Sequence, residues 1–228
     1  MAVFTKQQSI AALTHNKFKK EVIPMAKITK LSHIYPKDIR AMSLLAKSGA
    51  ISKDTLNKMN ISNNRIKSYR QAGLIKEVYV PDKHGSTGRY FYELTDKQGK
   101  EFCRTHCDIK NFISNGNASV HNAKVSEYLA NNLSKNELDS CMSEAELKPF
   151  IESRLQEYLD KQEYNRHDEL LEALKNKTLS MPDIVYKTDT GLMVSIEVIT
   201  DNYGNEEISA KEETATLLGT EITFVEAH

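Results

Sequence analysis

Ser62-Asn-Asn-Arg-Ile-Lys-Ser-Tyr-Arg-Gln-Ala-Gly73, followed at once by Leu74-Ile-Lys-Glu-Val-Tyr-Val80, decides how the first half of the chain is read. Ser62 is a good N-cap, because its hydroxyl can accept a hydrogen bond from an amide of the first helical turn. Gly73 suits the left-handed residue that closes a helix. Between these caps Ile66 and Tyr69 share one face and can turn inward together. Asn63, Asn64, Lys67, Ser68, Arg70 and Gln71 are left pointing outward. A short capped helix with a polar, cationic outer face is therefore expected over 63–72, with a strand directly behind it.

Working outward, Pro36 suits the first position of a helix. Ile39, Met42, Leu45 and Ala46 fall on one face of that helix, and Gly49 ends it. Ser52 caps a short second helix with Leu56 and Met59 inward, and Ile61 closes the turn that follows. Downstream, 74–80 and 89–95 are rich in β-branched and aromatic residues and read as strands. Pro81-Asp-Lys-His-Gly-Ser-Thr-Gly88 between them is a turn-rich loop carrying Lys83. Residues 96–104 read as a closing helix. Three helices, a strand, a loop, a strand and a helix are the element order of a winged helix-turn-helix, here over 35–110. In that architecture the third helix enters the major groove. Asn and Gln match adenine and Arg matches guanine, because their forked groups meet two base-edge atoms at once. Lys67, Lys83 and Arg89 are then expected to meet phosphates, which hold register and add salt-dependent affinity. Double-stranded DNA is the expected partner, although some winged helices bind proteins instead.

Charge supports this division. Net charge is zero, yet residues 1–110 hold 21 Lys and Arg against 9 Asp and Glu, and residues 111–228 hold 10 against 22. A basic half facing a polyanion, joined to an acidic half with another task, is the natural reading. Residues 1–34 form a basic N-terminal arm or helix. The hydrophobic fraction of 39% suffices for a buried core, and no stretch approaches the roughly 20 apolar residues of a membrane span. The start has no basic segment followed by an apolar run, so no secretory signal and no membrane partner are expected, and the cytoplasm is. Three cysteines, an odd number, fit a reducing compartment. Cys103, His106 and Cys107 crowd one helical turn, an incomplete ligand set for zinc; buried helix residues are expected there.

Asn111-Phe-Ile-Ser-Asn-Gly-Asn-Ala-Ser119 is a linker by composition. Val120, Ala123, Leu129 and Leu133 mark a helix after it, and 144–177 reads as two charged helices broken near Asn165. Residues 182–186 and 192–199 then read as strands around a Thr188-Asp-Thr-Gly191 turn, followed by a helix over 206–218 and a last strand over 221–225. Pro182-Asp183, with Glu197 on the next strand, resembles the restriction-endonuclease-like PD-(D/E)XK fold. The expected architecture is therefore α+β: an N-terminal winged helix-turn-helix, then an α/β restriction-endonuclease-like domain over 111–228. In such a site two carboxylates hold Mg²⁺ through hard oxygen ligands and a lysine steadies the attacking water or the developing charge. The resemblance implies Asp183 and Glu197 as catalytic and metal-binding acids, with Glu144 as a third ligand and Glu127 behind it. The family's lysine would stand at position 199, which is Ile199. Lys211, on the following helix, reaches such a site from another direction; otherwise the domain is degenerate and serves assembly.

Taken together, the wing's Gly88-Arg-Tyr-Phe-Tyr-Glu-Leu-Thr-Asp96, His121 opening a helix, and Pro182-Asp183 with Glu197-Val198 resemble the replication-relaxation family of plasmid and conjugative-element proteins, over about 36–226. That resemblance implies a DNA-binding factor in replication or mobilisation, working as a homodimer or with other replication or mobilisation proteins, with a non-cleaving nuclease-like domain. Two other readings stand beside it: a Mg²⁺-dependent endonuclease targeted by the winged helix, and a transcription regulator whose acidic half senses a ligand. Tyr203 invites a relaxase-like nucleophile reading, but no histidine cluster accompanies it. A lone histidine opening a helix, as His121 does, is more often structural.

Overall fold

The computed structural model describes residues 31–82, 87–113, 118–200 and 203–226. Lys83, residues 1–30 of the basic arm and 114–117 of the linker lie outside them. The chain is α+β, and its described residues form one antiparallel and one mixed sheet.

The basic half runs α1 (Pro36–Ser48), β1 (Ile51–Ser52), α2 (Lys53–Lys58), α3 (Asn63–Gln71), β2 (Ile75–Pro81), β3 (Gly88–Leu94) and α4 (Gln98–His106). The caps act as the sequence suggests. Ser52 Oγ accepts from Thr55 N at 3.0 Å and Ser62 Oγ from Arg65 N at 3.3 Å. Gly73 takes φ 69°, where a side chain would be strained. Strand β1 is a departure from the sequence reading: two residues pair Ile51 with Tyr92 and Ser52 with Phe91, completing a three-stranded sheet of order β1-β3-β2. Two residues are too short to show a period, so no pattern announces them.

A buried carboxylate ties α1 to α3. Asp38 is fully buried and accepts from Tyr35 N at 2.7 Å, from Arg65 Nε at 3.0 Å, from Arg65 Nη2 and from the Tyr69 hydroxyl. Burial opposes its charge, but the bonds from Arg65, Tyr69 and the Tyr35 amide outweigh it and hold the carboxyl below its usual range. Arg65 also donates to His33 O at 2.6 Å and lies over the rings of Tyr35 and Tyr69. Its guanidinium is therefore spent inside the fold, which fixes the roll of α3 about its axis.

The acidic half runs α5 (Ser119–Asn132), α6 (Lys135–Ser140), β4 (Met142–Ser143), a single 3-10 turn (Glu144–Glu146), α7 (Leu147–Asp160), α8 (Tyr164–Asn176), β5 (Ile184–Lys187), β6 (Met193–Ile199), α9 (Asn205–Leu218) and β7 (Glu221–Glu226). Its sheet has the order β4-β5-β6-β7, antiparallel except that β7 runs parallel to β6 after the α9 crossover. The break between α7 and α8 falls at 161–163, just before the expected position, where Gln162 takes φ 61°. Helix α6 and strand β4 are short and lie outside the sequence expectation.

Helix α5 joins the halves. It packs on α1, α2, β1 and β3 on one side and on β6 on the other. Val125 and Leu129 share one buried cluster with Met42, Leu45 and Tyr69 of the basic half and with Ile184, Ile196 and Val198 of the acidic half. Two apolar faces on one helix explain this: Ala123 meets Ala50 and Phe91, while Val125 and Leu129 enter the shared core. A second cluster, Leu147, Ile151, Tyr158, Leu170, Val185 and Leu218, seats α7, α8 and α9 on the second sheet. Cys103 and Cys141 are buried thiols; Cys107 is partly buried and donates to Ile39 O at 3.5 Å. No helix of the described residues is long and apolar enough to cross a membrane.

Candidate functional site

Two surfaces hold the residues singled out in the sequence. The first is α3. Ile66 and Tyr69 are buried, while Asn63, Asn64, Lys67, Arg70 and Gln71 are exposed along the opposite side. Lys53, Asn63, Lys67, Arg70, Gln71 and Tyr92 wall an open depression of about 550 Å³. Not every polar group there is free. Ser68 Oγ donates to Asn64 O at 3.0 Å, and Arg70 Nη2 lies 3.1 Å from Glu77 Oε2 on β2. Arg89 is exposed at the start of β3. Strand alternation puts it on the side of the hairpin opposite Tyr90 and Tyr92, so it does not join the α3 depression.

The second is a compact acidic site at the end of β5 and β6. Ile184 pairs with Ile196, so Asp183 and Glu197 stand opposite each other one step further along. Each carboxylate takes the other strand's amide: Asp183 N donates to Glu197 Oε2 at 3.2 Å, and Val198 N donates to Asp183 Oδ2 at 2.8 Å. From α9, Lys211 Nζ reaches to 2.8 Å from Glu197 Oε1 and also donates to Met181 O. Tyr203 OH donates to Glu197 Oε1 at 2.7 Å. From α5, His121 Nε2 lies 3.3 Å from Asp183 Oδ2 and 3.1 Å from Val198 O. Both neighbours are acceptors, so Nε2 carries the proton and shares it between them. The hydrogen bond to Asp183 outweighs burial and lifts the imidazole to about 9, so His121 is a cation at neutral pH.

Glu197 is 1% exposed. Burial and the charge of Asp183 push its carboxyl up, while Lys211 and Tyr203 pull it down; the net direction is upward. Burial and the bond to Glu197 raise the Tyr203 phenol. Asp183, Glu197 and Lys211 are thus brought together. Glu144 is exposed and lines, with Asp183, His121 and Lys47, a cavity of about 510 Å³ that adjoins the site. Glu127 turns toward Lys58 and Lys124 instead.

In this arrangement the Glu197 oxygens and one Asp183 oxygen already have polar partners: an ammonium, a phenol and an amide on Glu197, and an amide and an imidazolium on Asp183 Oδ2. Among the described residues, no three His, Cys, Asp or Glu side chains are grouped to hold a metal ion. The set instead interlocks α5, β5, β6 and α9 through charge-assisted bonds.

The pairing of His121 with Asp183, that of Tyr203 with Glu197, and the exposed pair Tyr79 and Tyr90 on the hairpin lie outside the sequence expectation. No spacing rule links residues from four separate elements. The tyrosines were legible in principle, as aromatic residues next to a turn-rich loop. Compared with known proteins, the chain is matched by no family model, no curated protein and no solved structure.

Proposed function

We propose that the chain is a cytoplasmic duplex-DNA-binding protein of winged helix-turn-helix type, serving replication or mobilisation of a plasmid or other mobile element. In this reading α3 is the recognition helix and β2–β3 the wing. The acidic half is a nuclease-like α/β domain used for assembly rather than cleavage. One observation carries the first part: α3 buries Ile66 and Tyr69 and presents Asn63, Asn64, Lys67, Arg70 and Gln71 to solvent together. Amide and guanidinium forks on a short exposed helix are the groups that discriminate base pairs in the major groove. The occupied oxygens of Asp183 and Glu197 support the non-cleaving role of the second half.

Binding to a randomised duplex pool at stated salt tests the reading. Wild type is expected to enrich a sequence, and Lys67→Ala with Arg70→Ala to lose both affinity and enrichment. Unchanged binding by that double variant would overturn the assignment of α3. A second reading, a Mg²⁺-dependent endonuclease, is favoured by one observation: Lys211 stands beside Glu197. It requires plasmid nicking with Mg²⁺ or Mn²⁺ that vanishes on Asp183→Ala, and a clean protein that never nicks ends it.

A further inference from the structure

The β2–β3 hairpin has two unlike faces. Alternation along the strands sends Val80 and Phe91 to one side, where they pack with Ala50, Val120 and Ala123. The other side carries Glu77 and Tyr79 of β2 directly opposite Tyr92 and Tyr90 of β3. Tyr79 and Tyr90 are large aromatic side chains left 48% and 58% exposed. Their ring centroids are 4.9 Å apart with the planes tilted by 49°. The Tyr79 ring lies across Gly88, where an added Cβ would stand 2.5 Å from it. That packing holds the ring against the strand and leaves its outer face bare.

The pair continues the α3 surface. Arg70 of α3 bonds Glu77, and Tyr92 walls the same depression as Lys67 and Arg70. Tyr79 follows Glu77 by two residues, about 7 Å further along the strand. A nucleic acid held on α3 therefore extends over the two rings. In a paired duplex each base face is already covered by its neighbours. An unpaired base offers a free face, and stacking on exposed aromatic rings beside cationic groups is how single strands are held.

We propose that Tyr79 and Tyr90 form a stacking platform for unpaired bases, so that the preferred ligand is duplex DNA adjoining a single-stranded segment. This rests on the reading of α3 as the duplex-binding helix. A cross-strand tyrosine pair also steadies a hairpin, so the test must separate stacking on bases from hairpin stability.

Fluorescence anisotropy compares a labelled blunt duplex carrying the enriched sequence with the same duplex bearing a tail of about six unpaired nucleotides. Wild type is expected to bind the tailed form about tenfold more tightly. Tyr79→Val with Tyr90→Val keeps residues that favour strands and is expected to bring the ratio of tailed to blunt affinity down to about one. Tyr79→Phe with Tyr90→Phe retains the rings and is expected to retain the gain. Equal affinity of wild type for blunt and tailed forms, or a gain that survives the valine pair, overturns the platform and leaves the α3 reading intact. Absence of blunt-duplex binding by wild type overturns the α3 reading, and the platform falls with it.

Discussion

Lys211 and Glu197 form an ion pair of 2.8 Å across the α9–β6 contact, with the carboxylate 1% exposed. The lysine that the strand pattern lacks at Ile199 is thus supplied from a helix, yet it is spent neutralising a buried acid. Removing one partner of such a pair leaves an uncompensated buried charge, which costs about 3–5 kcal/mol. Lys211→Met is therefore expected to lower unfolding stability by that order. Lys211→Met with Glu197→Gln removes both charges and should recover most of the loss. Denaturant unfolding of the single and double variants measures the coupling. Additive losses would mean that the two groups do not support each other.

The His121–Asp183 contact gives a pH dependence whose sign follows from the imidazole's rise from 6.5 to about 9. The folded state binds the proton more tightly than the unfolded chain. Its stabilisation is then fully present below about pH 6.5 and is lost as pH rises through about 9. Stability measured from pH 6 to 10 should fall over that window, and Asp183→Asn should flatten the fall. A ring-proton titration of His121 near 6.5 in the wild type would refute the account.

Much of this architecture is legible in local chemistry. Ser52, Ser62 and Gly73 announce α2 and α3 because caps act within one turn, and Ile66 with Tyr69 gives the buried side of α3. The strands around Asp183 and Glu197 are visible as β-branched runs. What local patterns do not carry is who meets whom. Asp38 gathers Arg65 and Tyr69 from residues 27 and 31 positions away, and His121 reaches Asp183 from a helix that also serves the basic half. Lys211 was legible as a candidate because it lies on the helix after Glu197. Tyr203 reads from the sequence only as a nucleophile, since its hydrogen bond to Glu197 depends on the fold near the start of α9.

Asp38 should be the least replaceable polar group of the basic half. Its carboxylate is fully buried and takes bonds from Arg65, Tyr69 and the Tyr35 amide. Asp38→Asn cannot satisfy both N–H groups of Arg65 and leaves the guanidinium short of a counter-charge; a loss of about 3–5 kcal/mol is expected. Because the Asp38 carboxyl is held below its usual value, its contribution is present above the ordinary carboxylate range. It disappears as pH falls through the depressed value. Wild-type stability should therefore fall as pH drops below the ordinary carboxylate range, and the variant should lose that part of the acid dependence. Thermal unfolding followed by circular dichroism from pH 2 to 7 checks both.

The Arg70–Glu77 pair sets a last expectation, on affinity and its salt dependence. Glu77 holds Arg70 at 3.1 Å and places a negative charge on the surface where a polyanion would lie. Exposed pairs of this kind contribute roughly 0–1 kcal/mol to stability, so Glu77→Gln should leave folding almost unchanged. The same change frees the guanidinium and removes a repulsive charge, and duplex affinity should rise. If α3 binds DNA as proposed, Lys67→Ala acts oppositely, lowering affinity and reducing the slope of log affinity against log salt by about 1. If Glu77→Gln weakens binding instead, Glu77 itself touches the DNA, accepting from a cytosine amino group as carboxylates do in the major groove. Titrations of both variants at three salt concentrations distinguish a steering charge, whose effect fades with salt, from a base contact, whose effect persists.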